Sequence, residues 1–239
     1  MKKLEADIKI QKLQRPEHVE AEFVVVIDVI RAFTTAAHAF NRGAEKIILV
    51  STAQEALALK KDHPEYVLMG ESSGEHIPGF DYCGSPVKVS MADLKGKTLV
   101  QRTSSGTQGV VRSVTSKKIL CSSFVVAQAT LERIRQVKPK TITFVITGGL
   151  VGDGDEDFAL ADYLEKLILE GNADSKAYLT RVIDSPNGQN YVHEVGSWRK
   201  RHDLDAVLEL DKFPFAMEIF IENNLPVLYA ISTDGSPLK

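Results

Sequence analysis

Residues 23–28 read Phe23-Val24-Val25-Val26-Ile27-Asp28, an apolar run that ends on a carboxylate. An apolar run without polar alternation predicts a β-strand that is covered on both faces, as in a parallel sheet. The segment that follows, Arg31–Asn41, has the pattern of a helix, and Gly43 marks its end. Strand, polar turn and helix in this order are typical of an α/β fold.

The same alternation continues along the chain of 239 residues. Further strands are predicted at Lys46–Val50, Tyr66–Met69, Thr98–Gln101, Lys118–Cys121, Thr141–Ile146 and Pro226–Ile231, with an edge strand at Ala6–Leu13. Further helices are predicted after Thr52 and at Gly106–Thr115, Phe124–Val137 and Glu156–Glu170, and a less regular helical pattern runs on to about Leu210. Together they predict a three-layer α/β/α sandwich with a mostly parallel, mixed β-sheet. We expect one domain over residues 1–239, with an internal split near residue 150 as the alternative.

Composition excludes several classes of protein. The chain has 29 basic and 32 acidic residues, a net charge of −3, which argues against a nucleic-acid partner. Its longest apolar run is far short of the ~20 residues of a membrane span, so we expect no membrane association. Met1–Asp7 lacks the apolar core of a signal peptide, and two cysteines are too few for a disulfide framework. We therefore expect a cytoplasmic protein; assembly into a homo-oligomer is compatible with the sequence.

The first turn with candidate functional residues comes at the end of residues 23–28 and carries Asp28 and Arg31. In α/β sheets, ligands bind beyond the carboxyl ends of the strands. Asp28 is expected there, partly desolvated, where a carboxylate can bind Mg²⁺, attack as a nucleophile or move a proton. Arg31 follows on the first turn of the helix and can bind a phosphate or carboxylate. The structural alternative is an Asp that stabilises a helix start.

A second candidate is the loop of residues 70–86, which is longer than the ~12–15 residues at which unstructured connections become uncommon. Glu71 lies at the end of its strand, and Asp81 lies between two aromatic residues. Two carboxylates in a Gly-rich loop can bind a metal ion or a polar substrate. The alternative is a solvated loop in which Gly and Pro only form turns.

The third turn opens a helix with small hydroxyl residues and glycine. Such a turn lets backbone N–H groups approach an anion, and the helix dipole favours negative charge there. It is not a Walker A loop, because no Gly-Lys-Ser/Thr follows. The alternative is an ordinary helix cap. The candidate phosphate-binding residues are Arg102, Thr103, Ser104, Ser105, Gly106 and Thr107.

The fourth turn, residues 148–157, is acidic. Its spacing of acids does not continue as a Ca²⁺ loop, since Phe158 and Leu164 occupy the positions of the required Gly and Glu. Asp157 then either complements the helix dipole or provides a further metal carboxylate. Carboxylates, arginines and an anion-binding loop at one expected edge favour Mg²⁺-assisted chemistry on a small phosphorylated substrate.

Five segments, in this order, resemble the 2-phosphosulfolactate phosphatase family. The resemblance runs from about Val24 to Leu164, and its elements are Asp28–Phe33, Gly70–Ser72, Gly79–Pro86, Thr103–Thr107 and Glu156–Asp157. It implies an α/β/α fold, Mg²⁺ dependence and hydrolysis of the phosphate ester of a small sulfonated hydroxy acid, a step towards coenzyme M. The chain departs from the family pattern at Phe33, Ser72, Gly84 and Ser105. Arg102 is our candidate to replace the cation that is lost at Ser72.

We therefore predict a Mg²⁺-dependent phosphatase. The candidate catalytic residues are Asp28, Arg31, Glu71 and Asp81, and the candidate Mg²⁺ ligands are Asp28, Glu71, Asp81 and Asp157. One alternative is a non-catalytic binder of a phosphorylated metabolite. A second is an isochorismatase-like hydrolase with Cys83 or Cys121 as nucleophile. A haloacid-dehalogenase-type phosphatase is rejected because Ile30 stands where that chemistry needs a second Asp.

Overall fold

The computed structural model describes residues 8–150, 152–196, 198–232 and 235–238. The strands are β1 (Lys9–Gln14), β2 (Val24–Ile27), β3 (Lys46–Leu49), β4 (Val67–Gly70), β5 (Tyr82–Cys83), β6 (Thr98–Arg102), β7 (Ile119–Ser122), β8 (Thr141–Ile146), β9 (Ala216–Glu222) and β10 (Leu225–Ile231). The helices are α1 (Ala32–Asn41), α2 (Ala53–Asp62), α3 (Pro86–Ser90), α4 (Gly106–Val111), α5 (Ala127–Val137), α6 (Asp155–Glu170), α7 (Ser175–Asp184), α8 (Pro186–Val192) and α9 (Arg201–Val207), with a 3₁₀ turn at Phe124–Val126.

The strands form one mixed sheet in the order β1-β8-β2-β7-β9-β10-β3-β6-β4-β5. Two parallel blocks, β1-β8-β2-β7 and β3-β6-β4-β5, are separated by the antiparallel hairpin β9–β10. Strands from both sides of residue 150 share this sheet. The predicted α/β class with a mostly parallel, mixed sheet is therefore confirmed.

The carboxyl ends of the two parallel blocks converge. Three antiparallel steps separate β7 from β3, so a flat sheet would put the carboxyl ends of the blocks at opposite edges. Instead, Gly106 after β6 lies against Asp28 after β2, and the side chain of Gln101 donates a hydrogen bond of 3.0 Å to the carbonyl of Ala32. The right-handed twist that accumulates across a sheet allows this convergence.

Both faces of β2 are buried, which explains its uninterrupted apolar sequence. Val24 and Val26 belong to the core around α1, whereas Val25 and Ile27 belong to the core beneath α5 and α6. A third cluster covers the outer face of β3, β4 and β6 under α2. Helices therefore cover both faces of the sheet, as a three-layer sandwich requires.

Local signals explain several element ends. Thr52 caps α2 through a capping box with Glu55, as its sequence predicts. Gly43, at a φ of +87°, follows the end of α1. Helix α4 ends at Val111, earlier than predicted, because the next residues turn to hydrogen-bond the segment at Val19, where Arg112 accepts from the Val19 N–H at 2.8 Å.

Two strands were missed by the sequence prediction: β5, which has only two residues and lies within the predicted loop of residues 70–86, and β9. Strand β9 carries Glu218 in the middle of its apolar residues, which interrupts the run that marks the other strands. The first residues of the predicted edge strand, and all of Met1–Asp7, lie outside the described residues. Within the described part of the chain, no helix is both long and apolar enough to cross a bilayer.

Candidate active site

A polar cleft of about 300 Å³ opens where the carboxyl ends of β2, β8, β4 and β6 converge. One wall carries Asp28, Glu156 and Asp157, another carries Glu71, Ser104 and Ser105, and Tyr191, Trp198 and Arg199 close it from the C-terminal segment. Cavities of a few hundred Å³ with convergent polar groups are typical of small-molecule sites. This is the site that the strand-end rule predicts.

Asp28 and Asp157 are held side by side by the backbone. Asp28 Oδ1 accepts from the Ala32 N–H at 2.9 Å, while Asp157 accepts from Val29 N–H at 2.8 Å and Gly148 N–H at 2.7 Å. The hydroxyl of Thr147 lies 3.2 Å from Asp28 Oδ2 and 3.3 Å from Asp157 Oδ2. Both carboxylates are therefore fixed in orientation by neutral donors at the ends of β2 and β8.

Glu156 is the third acid of this wall and is 3% exposed. Its Oε1 accepts from the side-chain amide of Asn187 at 3.1 Å, but its Oε2 is buried without a hydrogen-bond partner. A buried oxygen without a partner is costly, which makes it a candidate to bind a ligand atom. In the sequence, Glu156 stands out only as part of the motif Glu156–Asp157, and it is not among the predicted site residues.

Burial and mutual repulsion raise the pKa of all three acids. Burial raises the pKa of Asp28 to about 6, with the charge of Glu71 adding to the shift. Burial raises the pKa of Glu156 to about 7, helped by the charge of Asp28. Burial and the charges of these two neighbours also raise the pKa of Asp157 well above its usual range. A bound cation or a proton would relieve this repulsion.

Two arginines line the same cleft. Arg31 is 7% exposed, and its Nη1 lies 2.7 Å from Asp203 Oδ2. The guanidinium of Arg199 lies over the ring of Trp198, 3.9 Å from its centroid, and its Nε is buried without a hydrogen-bond partner. Guanidinium groups bind phosphate and carboxylate oxygens through paired N–H donors, so both are suited to an anionic ligand.

The loop after β6 lines the cleft, but several of its polar groups are already engaged. Glu71 Oε1 accepts from the Ser104 N–H at 2.6 Å, and Glu71 Oε2 accepts from the Ser104 hydroxyl at 3.1 Å and from the Gly74 N–H. Glu71 therefore ties the β4 and β6 loops together while it lines the cleft. Its role as a metal ligand stays a prediction.

Asp81 is the candidate that the structure separates from the others, which corrects the expectation that it faces the site. Its Oδ2 accepts from the Leu68 N–H at 2.8 Å and lies 3.3 Å from Lys60 Nζ. The reason is that β5 pairs beside β4, so residue 81 lies along that strand and not beyond its end. Asp81 therefore closes a loop at the edge of the sheet.

Arg102 and Thr107 also lie outside the lining of the cleft. Side chains alternate along β6, so Gln101 points towards α1 and Arg102 towards the other face, where its Nη1 donates to the carbonyl of Glu71 at 2.8 Å. Arg102 therefore does not place its charge in the cleft. Thr107 is fully buried, and its hydroxyl accepts from the Thr103 N–H at 3.0 Å, so it closes the first turn of α4.

Neither cysteine faces the cleft. Cys121 lies buried within β7, and its burial raises the pKa of its thiol well above the usual range. Cys83 is half-buried and is not part of the cleft wall. A thiol must ionise and reach the substrate to act as a nucleophile, so this geometry argues against the cysteine-hydrolase alternative.

Oxygen donors in the cleft fit a hard divalent cation. Among the described residues, no three acids, histidines or cysteines form a ready-made metal cage. Mg²⁺, however, is usually bound by one or two carboxylates, with water and substrate phosphate completing its six ligands. Asp28, Asp157 and the unpartnered Oε2 of Glu156 line the same cleft and provide such a partial set of oxygen ligands.

The family model and the similar proteins that match this chain carry the same description. Residues 8–217 match the family model described as 2-phosphosulpholactate phosphatase. A probable 2-phosphosulfolactate phosphatase of Bacillus subtilis (strain 168) is 38% identical over 151 residues, which is 63% of this chain and 65% of that protein's length. One from Carboxydothermus hydrogenoformans is 36% identical over 166 residues, 68% of each chain. One from Thermoplasma acidophilum is 32% identical over 191 residues, 80% of this chain and 83% of its own.

The α/β fold places the cleft at the strand ends, where proteins of this fold class bind their ligands. The chain belongs to the 2-phosphosulfolactate phosphatase family. The resemblance carried by the five motifs is thereby confirmed, and with it the expected enzyme class, the phosphoric monoester hydrolases.

Proposed function

We propose that this protein is a Mg²⁺-dependent phosphatase that hydrolyses a small anionic phosphomonoester. The observation that carries the proposal is the pairing, in one cleft, of a wall of buried carboxylates with two guanidinium groups. The expectations of a cytoplasmic protein and of a homo-oligomer stay predictions.

The acids supply the metal-binding side of the site. Asp28 and Asp157 are fixed by backbone N–H groups, and Glu156 adds an oxygen without a partner. These residues would hold Mg²⁺ together with the substrate phosphate. Bound Mg²⁺ would supply the positive charge that neutralises phosphoryl oxygens during transfer.

The arginines supply the anion-binding side. Arg31, at the start of α1, would donate to the phosphoryl oxygens, where charge develops as the ester P–O bond breaks and an oxygen of water is added. Arg199 would bind a second anionic group of the substrate, because no ion pair neutralises it among the described residues. Ser104 and Ser105 line the cleft between these groups.

A panel of small phosphomonoesters tests the proposal. The panel includes 2-phosphosulfolactate, for which the relatives are named, and esters that lack a second anion. We expect phosphate release that requires Mg²⁺, stops with EDTA and is fastest for esters with a second anionic group. No turnover of any ester, together with binding of a phosphorylated ligand, would favour the non-catalytic binder.

The attacking group is addressed by a separate measurement. Rapid quenching during turnover of a ³²P-labelled ester shows whether the protein carries covalent phosphate. A labelled protein that Asp28→Asn abolishes would assign Asp28 as nucleophile, whereas unlabelled protein during steady turnover would assign direct attack by water.

A further inference from the structure

The guanidinium of Arg31 is held by residues of the C-terminal segment. Its Nη1 donates to Asp203 Oδ2 at 2.7 Å, and the rings of Tyr191 and Trp198 lie 5.3 and 5.4 Å from its central carbon. Asp203 is the one hydrogen-bond acceptor that the described residues provide for this guanidinium. The partners come from α8, α9 and the segment between them, far along the chain from Arg31.

Asp203 is itself rigidly placed. It is 1% exposed, and its Oδ1 accepts from the Ser85 hydroxyl at 2.6 Å and from the Val87 N–H at 3.4 Å. Ser85 and Val87 lie at the start of α3, so the carboxylate is fixed from two directions. A carboxylate with both oxygens engaged cannot swing away from its arginine without losing buried hydrogen bonds.

Among the described residues, the other N–H donors of this guanidinium have no hydrogen-bond acceptor. An arginine presents five N–H donors in a planar fork, and Asp203 Oδ2 accepts from one of them, at Nη1. Nη2 lies beside Gly84, where an added Cβ would be 3.7 Å away, so the missing side chain leaves room in the cleft at this point. Because Arg31 lines the cleft, its remaining donors are available to a phosphoryl group bound there, as the proposed function requires.

We propose that Asp203 is a positioning residue that fixes the Arg31 guanidinium for phosphate binding and transfer. The inference rests on the proposed function. Asp203 does not touch the substrate; it acts through Arg31, as an acceptor that fixes the direction of the free N–H groups. The same geometry would serve a purely structural ion pair, so the test needs a measurement that a structural role leaves unchanged.

The test uses Asp203→Asn in the full chain, with Asp205→Asn as the matched control. Asn keeps the size of the side chain and removes the charge that orients Arg31. Asp205 lies on the same helix but is exposed and pairs with Arg201 at 3.0 Å. We expect kcat/KM to fall about 100-fold in Asp203→Asn, as for a misplaced catalytic group, and to stay within about twofold in the control.

Two further measurements separate positioning from stability. In an Arg31→Gln background, Asp203→Asn should cause no additional loss of kcat/KM, because its effect passes through Arg31. Trp198 is the single tryptophan of the chain and contacts this guanidinium, so its emission reports inorganic phosphate entering the cleft. The Kd for inorganic phosphate should rise on the order of tenfold in Asp203→Asn.

The outcomes are distinct. Equal losses from Asp203→Asn with and without Arg31 would overturn the inference, as would wild-type kcat/KM in a folded Asp203→Asn. If that variant does not fold, Ser85→Ala replaces it, since it frees the carboxylate but keeps the charge pair, and a smaller loss that depends on Arg31 is then expected. A wild type that neither hydrolyses esters nor binds phosphate would show failure of the proposed function itself.

Discussion

Glu218, in the middle of β9, and Asp28, at the end of β2, are both almost fully buried, at 1% and 5% exposure. Glu218 forms ion pairs with Lys118 and, at 2.8 Å, with Arg133. Asp28 accepts hydrogen bonds from the Ala32 N–H and the Thr147 hydroxyl, and no basic residue in the described ranges forms an ion pair with it.

The difference separates an acid whose charge is compensated by ion pairs from one that has none among the described residues. Burying a charge is costly unless an opposite charge compensates it, and at Glu218 two cations do so within the fold. At Asp28 the fold leaves the charge uncompensated, next to Glu156 and Asp157, and raises its pKa to about 6. Acids kept in this state inside a cleft are typical of sites whose missing charge arrives with a ligand.

The largest expected effect is on catalysis at Asp28. Asp28→Asn should lower kcat by at least about 10³-fold, because it removes a charged oxygen from the reacting site. Relative to the wild type, the free energy of unfolding of Asp28→Asn at neutral pH should change less than that of Glu218→Gln. Steady-state kinetics and urea unfolding of the two variants measure both effects. A variant with more than a tenth of wild-type kcat would remove Asp28 from the mechanism.

Glu218→Gln should show the opposite behaviour. It leaves two cations without their buried partner, so we expect a loss of about 3 kcal/mol in the free energy of unfolding, with kcat per folded molecule unchanged. The matched control is Glu222→Gln on the same strand. The side chain of Glu222 is 37% exposed, so its ion pair with Lys46 should contribute less than about 1 kcal/mol to the free energy of unfolding. Equal losses in the two variants would contradict the comparison.

Gly106→Ala tests the contact between the two parallel blocks of the sheet. An added Cβ would lie 2.6 Å from the Cβ of Ala32 and 2.9 Å from Asp28 Oδ2. We expect the carboxylate to shift and kcat/KM to fall about 10²-fold in a protein that still folds. Steady-state kinetics and the unfolding midpoint of the variant measure both properties. Unchanged kinetics would show that the contact of Gly106 with Ala32 and Asp28 does not position the Asp28 carboxylate.

The smallest effect is expected at Asp81. Asp81→Asn keeps an oxygen for the Leu68 N–H and loses only a pair with Lys60 in which the acid is 41% exposed. Stability should change by less than about 1 kcal/mol and kcat by less than about twofold. A tenfold loss of kcat with an intact fold would return Asp81 to the site.

The parts of the site that sequence predicted are those set by local rules. Asp28 was found because an apolar strand that ends on an acid places it at the ligand-binding edge. Arg102 was assigned to the cleft because position in the sequence does not reveal the face of β6 on which a side chain lies. Trp198 lines the cleft and Asp203 contacts Arg31 only through tertiary packing of the segment from α8 to α9, which no local pattern specifies.

For the fold as well, the sequence predicted the elements that have a local signal. Strands covered on both faces have a clear signal, whereas β9 was missed because Glu218 interrupts its apolar run. The pair Asn223-Asn224 between β9 and β10 is the sequence signal for this hairpin, because Asn is favoured in such turns. Both residues adopt positive φ in the structure, at 50° and 65°. The strand order depends on long-range pairing, which no local pattern specifies.

If the uncompensated acids of the cleft form a cation site, Mg²⁺ binding depends on their ionisation and hence on pH. The pKa of Asp28 is raised to about 6 and that of Glu156 to about 7, so in the folded protein both are largely protonated at pH 5 and ionised at pH 8. Because these pKa values are raised, their stabilising contribution is complete below the unfolded pKa and is lost as the pH rises through about 6 to 7. Mg²⁺ should restore that stability at pH 8 only.

The measurement is the thermal unfolding midpoint with and without saturating Mg²⁺ at pH 8 and pH 5, in wild type, Asp28→Asn and Glu218→Gln. We predict that Mg²⁺ raises the wild-type midpoint by several degrees at pH 8 and leaves it unchanged at pH 5. The shift at pH 8 should disappear in Asp28→Asn and persist in Glu218→Gln. No shift in the wild type at pH 8, or an equal shift in Asp28→Asn, would contradict a cation site at these acids.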